Sequence, residues 1–200
     1  FLDMGTSGAY YVALAADEIV AQPTSVTGSI GVILFGLNLE GLLGKIGVQD
    51  QTLKAGANKD LGSPLRPLRP EERQILQGVL DSMHTRFIDL VRARRPGLAG
   101  DDVARATDGR IFTAEQALQL GLVDQIGYLD DAVAAARRRA GLTRASVVVF
   151  HRPSEYSENI YSRAGGLPAE VNLINLDLGF LAAGEAQFMY LWRPGFDGLP

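Results

Sequence analysis

The amino-acid sequence predicts an α/β protein from its alternating pattern and its hydrophobic content. Short apolar stretches of strand length alternate with amphipathic helical patterns along residues 8–140. The 200 residues are 46% hydrophobic, which is enough to bury a substantial core. The formal net charge is −4 without a basic stripe, which argues against nucleic acid as the main partner. We therefore expect one main domain with an appendage.

The first third of the chain is predicted to contain two helices and three strands. A helix at about 8–16 is followed by a strand at 18–21 and an apolar strand at 28–34. A short helix at 38–46 precedes a strand at 48–54, where apolar and polar residues alternate. The most apolar interval, Ile30 to Leu37, is far shorter than the roughly 20 residues that span a bilayer. We expect a buried strand and turn there, with an exposed patch at a subunit contact or a substrate groove as the alternative.

The middle of the chain is predicted to be helical. A proline-rich loop precedes the longest helix, 70–95, which begins with Pro70 and two acidic residues and carries an apolar stripe. The segment "TAEQALQLGLVDQIG" at 113–127 predicts a short helix that ends near Gly121. A last helix covers about 129–140 and ends in three arginines, which suit a helix C-terminus.

The character of the sequence changes after Gly141. The segment "SVVVF" at 146–150 predicts a strand, whereas 152–185 has no strong period. The tail ends near the aromatic "FMYLW" and is either an oligomer-contact arm or a poorly ordered segment that pairs late with the body. We accordingly divide the chain into residues 1–145 and a C-terminal extension, 146–200.

Ser7 is the first candidate for a catalytic residue. It lies between small residues in "GTSGAYY", directly before an apolar run that predicts a helix. Small neighbours leave room for a substrate carbonyl, and the Gly8 N–H points towards charge developing near Ser7. The alternative is an ordinary N-cap serine, because serine is a preferred cap.

The lysines supply the candidates for a general base. Only Lys45, Lys54 and Lys59 are lysines among 19 basic residues, and arginine cannot act as a base. Lys54 and Lys59 lie in a Gly/Asn/Pro-punctuated stretch, "LKAGANKDLGSP", where functional side chains are commonly mounted. A solvated loop cation is the alternative for either residue.

Other chemistry has little support in the sequence. His84 falls inside a helical pattern and His151 ends a predicted strand, so we expect both to be structural. The chain has no cysteine, which removes thiol nucleophiles, disulfides and cysteine-ligated metals. We expect no cofactor and no metal site.

These motifs resemble the signal peptide peptidase A family, also called protease IV, which are serine peptidases with a Ser/Lys dyad. The resemblance is carried by "GTSGAYYVALAADEIVAQPTSVTGSIGV" and "KAGANKDLGSP". It implies that Ser7 is the nucleophile, that Lys59 and not Lys54 is the general base, and that Ser29 hydrogen-bonds the lysine. The chain departs from the family pattern at Ala9, where the family has a second glycine.

The resemblance also implies a fold and a missing part. The segment 113–127 is similar to one found across the Clp protease/crotonase superfamily, which implies a partial domain with a repeated β-β-α superhelix. Family members carry an earlier half with an oxyanion glycine and a membrane anchor, so we expect this chain to be a fragment. Residues 1–145 would then be the C-terminal part of the catalytic domain. A membrane-anchored protein with an extracytoplasmic catalytic domain is implied in the same way.

The implied mechanism places demands on the loop that carries Lys59. Neutral Lys59 would remove the Ser7 proton, which requires loss of its own proton several units below the ~10.4 of a free lysine. Asp60 must therefore point elsewhere, because a paired carboxylate would stabilise the ammonium form. The resemblance implies homo-oligomers whose sites take serine and lysine from neighbouring protomers, so that Ser7 and Lys59 of one chain do not hydrogen-bond.

Three functional classes follow from these features. The favoured one is a serine endopeptidase that cleaves small hydrophobic peptides such as signal peptides left in the membrane. A crotonase-like acyl-CoA enzyme would need no serine nucleophile, and the joint presence of Ser7, Ser29 and Lys59 argues against it. The third is a non-catalytic relative that serves as an assembly scaffold.

Overall fold

The computed structural model describes residues 1–148, residue 150 and the backbone of a strand at Gln187–Met189. All structural statements below concern these residues. The predictions for His151, for 152–185 and for most of the aromatic end of the chain lie outside them.

The described part of the chain is a mixture of short strands and helices around one long helix. Its elements in chain order are β1 (Met4–Thr6), α1 (Gly8–Ala13), β2 (Val20–Ala21), β3 (Val26–Gly28), β4 (Ile33–Phe35), α2 (Glu40–Lys45), α3 (Pro70–Arg94), α4 (Asp101–Ala106), β5 (Ile111–Thr113), α5 (Ala114–Gln119), β6 (Gln125–Ile126), α6 (Leu129–Arg139) and β7 (Gln187–Met189). The α/β prediction is confirmed.

A three-stranded sheet in the order β1-β3-β5 positions the N-terminal serines. β1 and β3 are parallel, with Thr6 opposite Gly28, and β5 is antiparallel to β3. The buried Thr27 hydroxyl donates to the Gly5 carbonyl at 2.7 Å, which ties the two parallel strands together. Two further pairs, β2 with β6 and β4 with β7, complete the described sheets.

The core lies where this sheet, α1, α5 and the second half of α3 meet. Phe87 and Val91 are four residues apart on α3, so they share a face, and both are completely buried. Burying each such side chain stabilises the fold by about 1.5–3 kcal/mol. The largest fully buried apolar side chains are Tyr10, Leu14, Ile30, Phe87, Val91, Leu122 and Val123.

Several predicted helices are confirmed with small shifts at their ends. α3 begins at Pro70 as predicted and ends one residue early, and α2 and α6 fall inside the predicted ranges. α5 ends as expected, because Gly121 follows its C-cap with φ +75. α1 stops at Ala13, three residues before the predicted end.

The apolar strand predicted at 28–34 is wrong as a single element. Gly28 and Ser29 have φ +88 and +51, and this left-handed backbone ends β3. The chain then forms β4, which pairs with β7 in a different sheet. Ile30 is buried, but Ile33 and Phe35 are about half exposed, so the exposed apolar patch describes this interval better than the buried strand and turn.

The strands predicted at 48–54 and 146–150 are also not observed among the described residues. Residues 44–59 are exposed throughout, and Leu53 is 97% exposed. Alternation alone does not make a strand, because its backbone groups need a neighbouring strand. Residues 146–148 have no strand pairing, and Val147 and Val148 are exposed. We name residues 33–59 the exposed arm.

Within the described residues, every helix is too short or too polar to cross a bilayer.

Candidate active site

Ser7 occupies a sharp junction between β1 and α1. Its φ and ψ are 50° and −113°, and its side chain is almost completely enclosed, with 1% of the residue exposed. The Ser7 N–H donates to the Gly28 carbonyl at 2.8 Å, and its own carbonyl accepts the Tyr11 N–H at 2.9 Å. The hydroxyl does not cap α1, so the N-cap interpretation of Ser7 lacks its defining bond.

Ser29 lies beside Ser7 because of the strand register. Thr6 is opposite Gly28 in the parallel pair, and the two serines are the next residues along each strand. Adjacent strands are about 4.8 Å apart, so both serines leave the same edge of the sheet as neighbours. The Ser29 N–H donates to the Arg110 carbonyl at 2.7 Å, which fixes this position to β5 as well.

The backbone of both serines is strained. Among the described residues, Ser7 and Ser29 are the only non-glycine residues with positive φ. Such conformations cost about 1–3 kcal/mol each and cluster at functional sites, where the surrounding structure imposes them. The two serines chosen from sequence motifs are therefore also the two that the backbone geometry singles out.

Tyr10 anchors the helix that follows Ser7. Its ring is fully buried, and its hydroxyl donates to the Leu122 carbonyl at 2.8 Å. Burial raises the pKa of this hydroxyl far above its usual range, so it remains a neutral donor. The sequence analysis did not assign Tyr10 a role, although its place in "TSGAYY" was visible. Gly8 is partly buried, and no described residue accepts its N–H in a backbone hydrogen bond.

Lys59 lies on a turn in the exposed arm. Its N–H donates to the Gly56 carbonyl at 3.2 Å, and its side chain is exposed. No hydrogen bond joins Lys59 to Ser7 or Ser29, all of which are described residues. The structure therefore places the two serines on neighbouring strands, while the exposed Lys59 is hydrogen-bonded to neither and lacks the burial that favours a neutral amine.

Lys54 and Asp60 are paired with each other. Lys54 Nζ lies 2.6 Å from Asp60 Oδ1, and Arg66 Nε lies 2.8 Å from Asp60 Oδ2. Hydrogen bonds from Arg66 and then from Lys54 hold the pKa of the Asp60 carboxyl well below its usual range. The expectation that Asp60 turns away from Lys59 is confirmed. The Lys54 amine is engaged by a carboxylate of its own chain, which makes it the less suitable candidate for the base.

Arg66 extends this ion-pair network to the start of α3. Its Nη1 and Nη2 donate to Glu72 Oε2 and Oε1 at 2.8 and 2.6 Å. Glu72 is inaccessible to solvent and also accepts from Arg69. Hydrogen bonds from Arg66, and to a smaller extent from Arg69, hold the pKa of the Glu72 carboxyl well below its usual range. Nothing in the sequence marks this cluster, since the residue types alone do not show which of the sixteen arginines pair with carboxylates.

A groove of about 480 Å³ lies between the exposed arm and the N-terminal part of α3. Arg66 lines it and therefore contacts both this groove and the loop that holds Lys59. Most of the lining of the groove is apolar. The apolar side chains are Leu34, Phe35, Leu37, Pro67, Leu68 and Leu76.

His84 has a structural role, as expected. His84 Nε2 lies 2.7 Å from the Thr107 carbonyl oxygen, which joins α3 to the end of α4. Among the described residues, no group of three or more His, Asp or Glu side chains is arranged to hold a metal ion.

Comparison with known proteins adds a family assignment. The model of Peptidase family S49 matches residues 1–143. "Putative signal peptide peptidase SppA" of Enterococcus faecium is 41% identical over 150 residues, which cover 75% of this chain and 43% of that protein. "Putative protease slr0021" of Synechocystis is 46% identical over 142 residues, 71% of this chain and 51% of that protein. The chain thus spans about half the length of these relatives.

Two further similarities are more distant. "Protease 4" of Salmonella typhi is 36% identical over 142 residues, covering 70% of this chain and 22% of that protein. Among solved structures, an enoyl-CoA hydratase/isomerase family protein of Hyphomonas neptunium matches 70% of this chain and 35% of its own, at 21% identity and a TM-score of 0.34. That likeness is too weak to carry an argument. The family match supports the predicted Clp protease/crotonase-like class.

Proposed function

Because this chain belongs to Peptidase family S49, we propose that it forms part of the catalytic domain of a serine peptidase with Ser7 as nucleophile and Lys59 as general base. The observation that carries the proposal is the pair of strained serines at the ends of two paired parallel strands. An N-cap serine has no need of a left-handed backbone, and the Ser7 hydroxyl is not engaged in capping.

The proposed reaction uses four groups of this chain. The neutral amine of Lys59 accepts the Ser7 proton as the serine oxygen attacks a peptide carbonyl, and it later returns a proton to the leaving amine. The Ser29 hydroxyl holds the amine in line, since Ser29 follows the strand adjacent to that of Ser7. The Gly8 N–H donates to the oxyanion of the tetrahedral intermediate.

The proposed site is shared between copies of the chain. Ser7 is enclosed at the sheet edge, whereas Lys59 is exposed on the arm, so a lysine from a second copy can complete each site. The exposed arm carries apolar side chains that favour burial in such a contact. The exposed large apolar side chains of the arm are Ile33, Phe35, Leu37, Leu42, Ile46, Val48 and Leu53.

The proposed substrates are short hydrophobic peptides, including cleaved signal peptides. The proposal rests on the name of one relative, a signal peptide peptidase. A membrane-anchored protein with its catalytic domain outside the cytoplasm would meet these peptides where they are released.

Labelling of the full-length protein with a fluorophosphonate tests the nucleophile and the base. We expect a covalent adduct that disappears in Ser7→Ala and in Lys59→Ala. Lys54→Ala is the matched control, because it removes a neighbouring lysine that is paired with Asp60, and its effect should be much smaller. Absence of a Ser7-dependent adduct would favour the acyl-CoA enzyme or the scaffold and defeat the peptidase.

Mixing of two inactive variants tests the shared site. In an oligomer assembled from Ser7→Ala and Lys59→Ala copies, some sites receive serine from one variant and lysine from the other. With random assembly, about a quarter of the sites are intact in a closed ring of like contacts. Recovery of labelling towards this level supports the shared site, and no recovery from co-assembled variants refutes it.

A further inference from the structure

The Arg66 guanidinium hydrogen-bonds both to the loop of Lys59 and to the start of the long helix. Its Nε donates to Asp60 Oδ2, and its Nη2 donates to the Asp60 backbone carbonyl at 3.1 Å. The same guanidinium forms two hydrogen bonds with the buried carboxylate of Glu72 at the start of α3. A planar fork with five donors makes such a double grip possible, which a lysine could not reproduce.

The network joins charged groups of the loop, of the following segment and of α3. The loop itself contributes Lys54 and Asp60, which pair with each other. The following segment and α3 contribute Arg66, Arg69 and Glu72, and Arg69 also donates to the Ala57 carbonyl. Within the described residues, both carboxylates of this cluster are therefore bound to cations other than Lys59.

We propose that Arg66 is a positioning residue for the general base, which it serves by holding the Asp60 carboxylate away from the neighbouring Lys59 amine. This inference rests on the proposed function, in which Lys59 acts as a neutral amine. Asp60 directly follows Lys59 in the chain, so a released Asp60 carboxylate would be a near neighbour of the amine. A carboxylate within a few ångströms favours the ammonium form and thereby removes the base at neutral pH.

The effect of losing Arg66 follows from this geometry. Without the guanidinium, Asp60 keeps only Lys54, whose side chain is one-third exposed, as a partner. Asp60 then becomes available to the Lys59 amine, and a higher pH is needed to produce the neutral base. For each pH unit by which that requirement rises, the fraction of Lys59 that is neutral at a fixed, lower pH falls about tenfold.

The test measures the rate of fluorophosphonate labelling of Ser7 in the full-length protein as a function of pH. We call the low-pH part of this profile, where the labelling rate rises with pH, the acid limb. In Arg66→Gln the acid limb should move to higher pH by about one unit, with about tenfold slower labelling near neutrality. The Asp60→Asn/Arg66→Gln double variant should return the limb to its wild-type place, because the competing carboxylate is gone.

Melting temperatures provide the structural control. Arg66→Gln and the double variant both leave Glu72 with Arg69 as its remaining arginine partner, so they should lose similar stability. A purely structural role would therefore leave the double variant as impaired as the single one. Lys54→Met, with its own Asp60→Asn partner variant, supplies a second pair that does not touch Glu72 and should show a smaller shift in the same direction.

The outcomes separate this inference from the proposed function. A limb that stays in place in both Arg66→Gln and Lys54→Met, or a double variant that is shifted as far as Arg66→Gln, overturns the role of Arg66. Labelling that survives Lys59→Ala, or a wild-type profile without an acid limb, instead overturns Lys59 as the base.

Discussion

Replacement of Gly28 by alanine should damage both the fold and the serine pair. Gly28 has φ +88, and a Cβ there would lie 2.7 Å from Phe112 Cδ2 and 2.8 Å from the Arg110 carbonyl oxygen. The left-handed backbone costs an L-residue about 1–2 kcal/mol, and overpacking adds about 1–3 kcal/mol. We expect a loss of about 3 kcal/mol, because the carbonyl belongs to the backbone of a paired residue and cannot rotate away as a side chain could.

The damage should extend to the chemistry, because the Gly28 carbonyl accepts the Ser7 N–H and the Arg110 carbonyl accepts the Ser29 N–H. Thermal denaturation should show a melting temperature lower by roughly 6–12 °C. Ser7 labelling should slow in the fraction that remains folded.

Gly78→Ala is the matched control for this substitution. Gly78 lies inside α3 with open space around its missing side chain, so the same change should stabilise the protein by about 0.5–1 kcal/mol. Equal melting temperatures for the two alanine variants, or full labelling in Gly28→Ala at wild-type stability, would refute the reasoning.

Three further predictions concern neighbouring groups. Tyr10→Phe leaves the buried Leu122 carbonyl without its donor and should destabilise the protein by about 1–3 kcal/mol in denaturant titration, against no change if the bond is dispensable. Ser29→Ala should slow Ser7 labelling about tenfold to a hundredfold without altering the melting temperature in proportion, and unchanged labelling would remove Ser29 from the mechanism. The Asp60 and Glu72 carboxyls have lowered pKa values, so their stabilisation is complete above about pH 5 and is lost as the pH falls below about 4. The melting temperature should therefore fall as the pH is lowered below about 4, and it should fall less steeply in Asp60→Asn than in the wild type. The same dependence of melting temperature on pH in both proteins would contradict this account.

The sequence was sufficient to nominate Ser7 and, through the family resemblance, Ser29, and to state that Asp60 must not pair with Lys59 if Lys59 acts as a base. Ser7 and Ser29 stand in short motifs of small residues, and Asp60 is adjacent to Lys59, so the chemical requirement was visible in the residue types. The strained backbone of the serines was not, because it depends on where the neighbouring strands place the Gly28 and Arg110 carbonyls.

The fold was predictable where the pattern is long and local. α3 presents many turns of periodic apolar residues behind a proline start, and its bounds were nearly correct. The segment 48–54 alternates like a strand, but strand formation depends on a partner edge that the described chain does not provide. The grip of Arg66 on Glu72 likewise depends on how the turn before α3 folds back, which residue types alone do not determine.

The register between the parallel strands β1 and β3 fixes the spacing of the two serines. Side chains alternate along a strand, so an insertion or deletion of one residue within β3 would have to be absorbed as a bulge or as a slip of the ladder. A slip would rotate Thr27 out of its buried place and carry Ser29 past Ser7. Engineered length changes should accordingly be tolerated in the solvent-facing turns of residues 44–58 and not in this stretch.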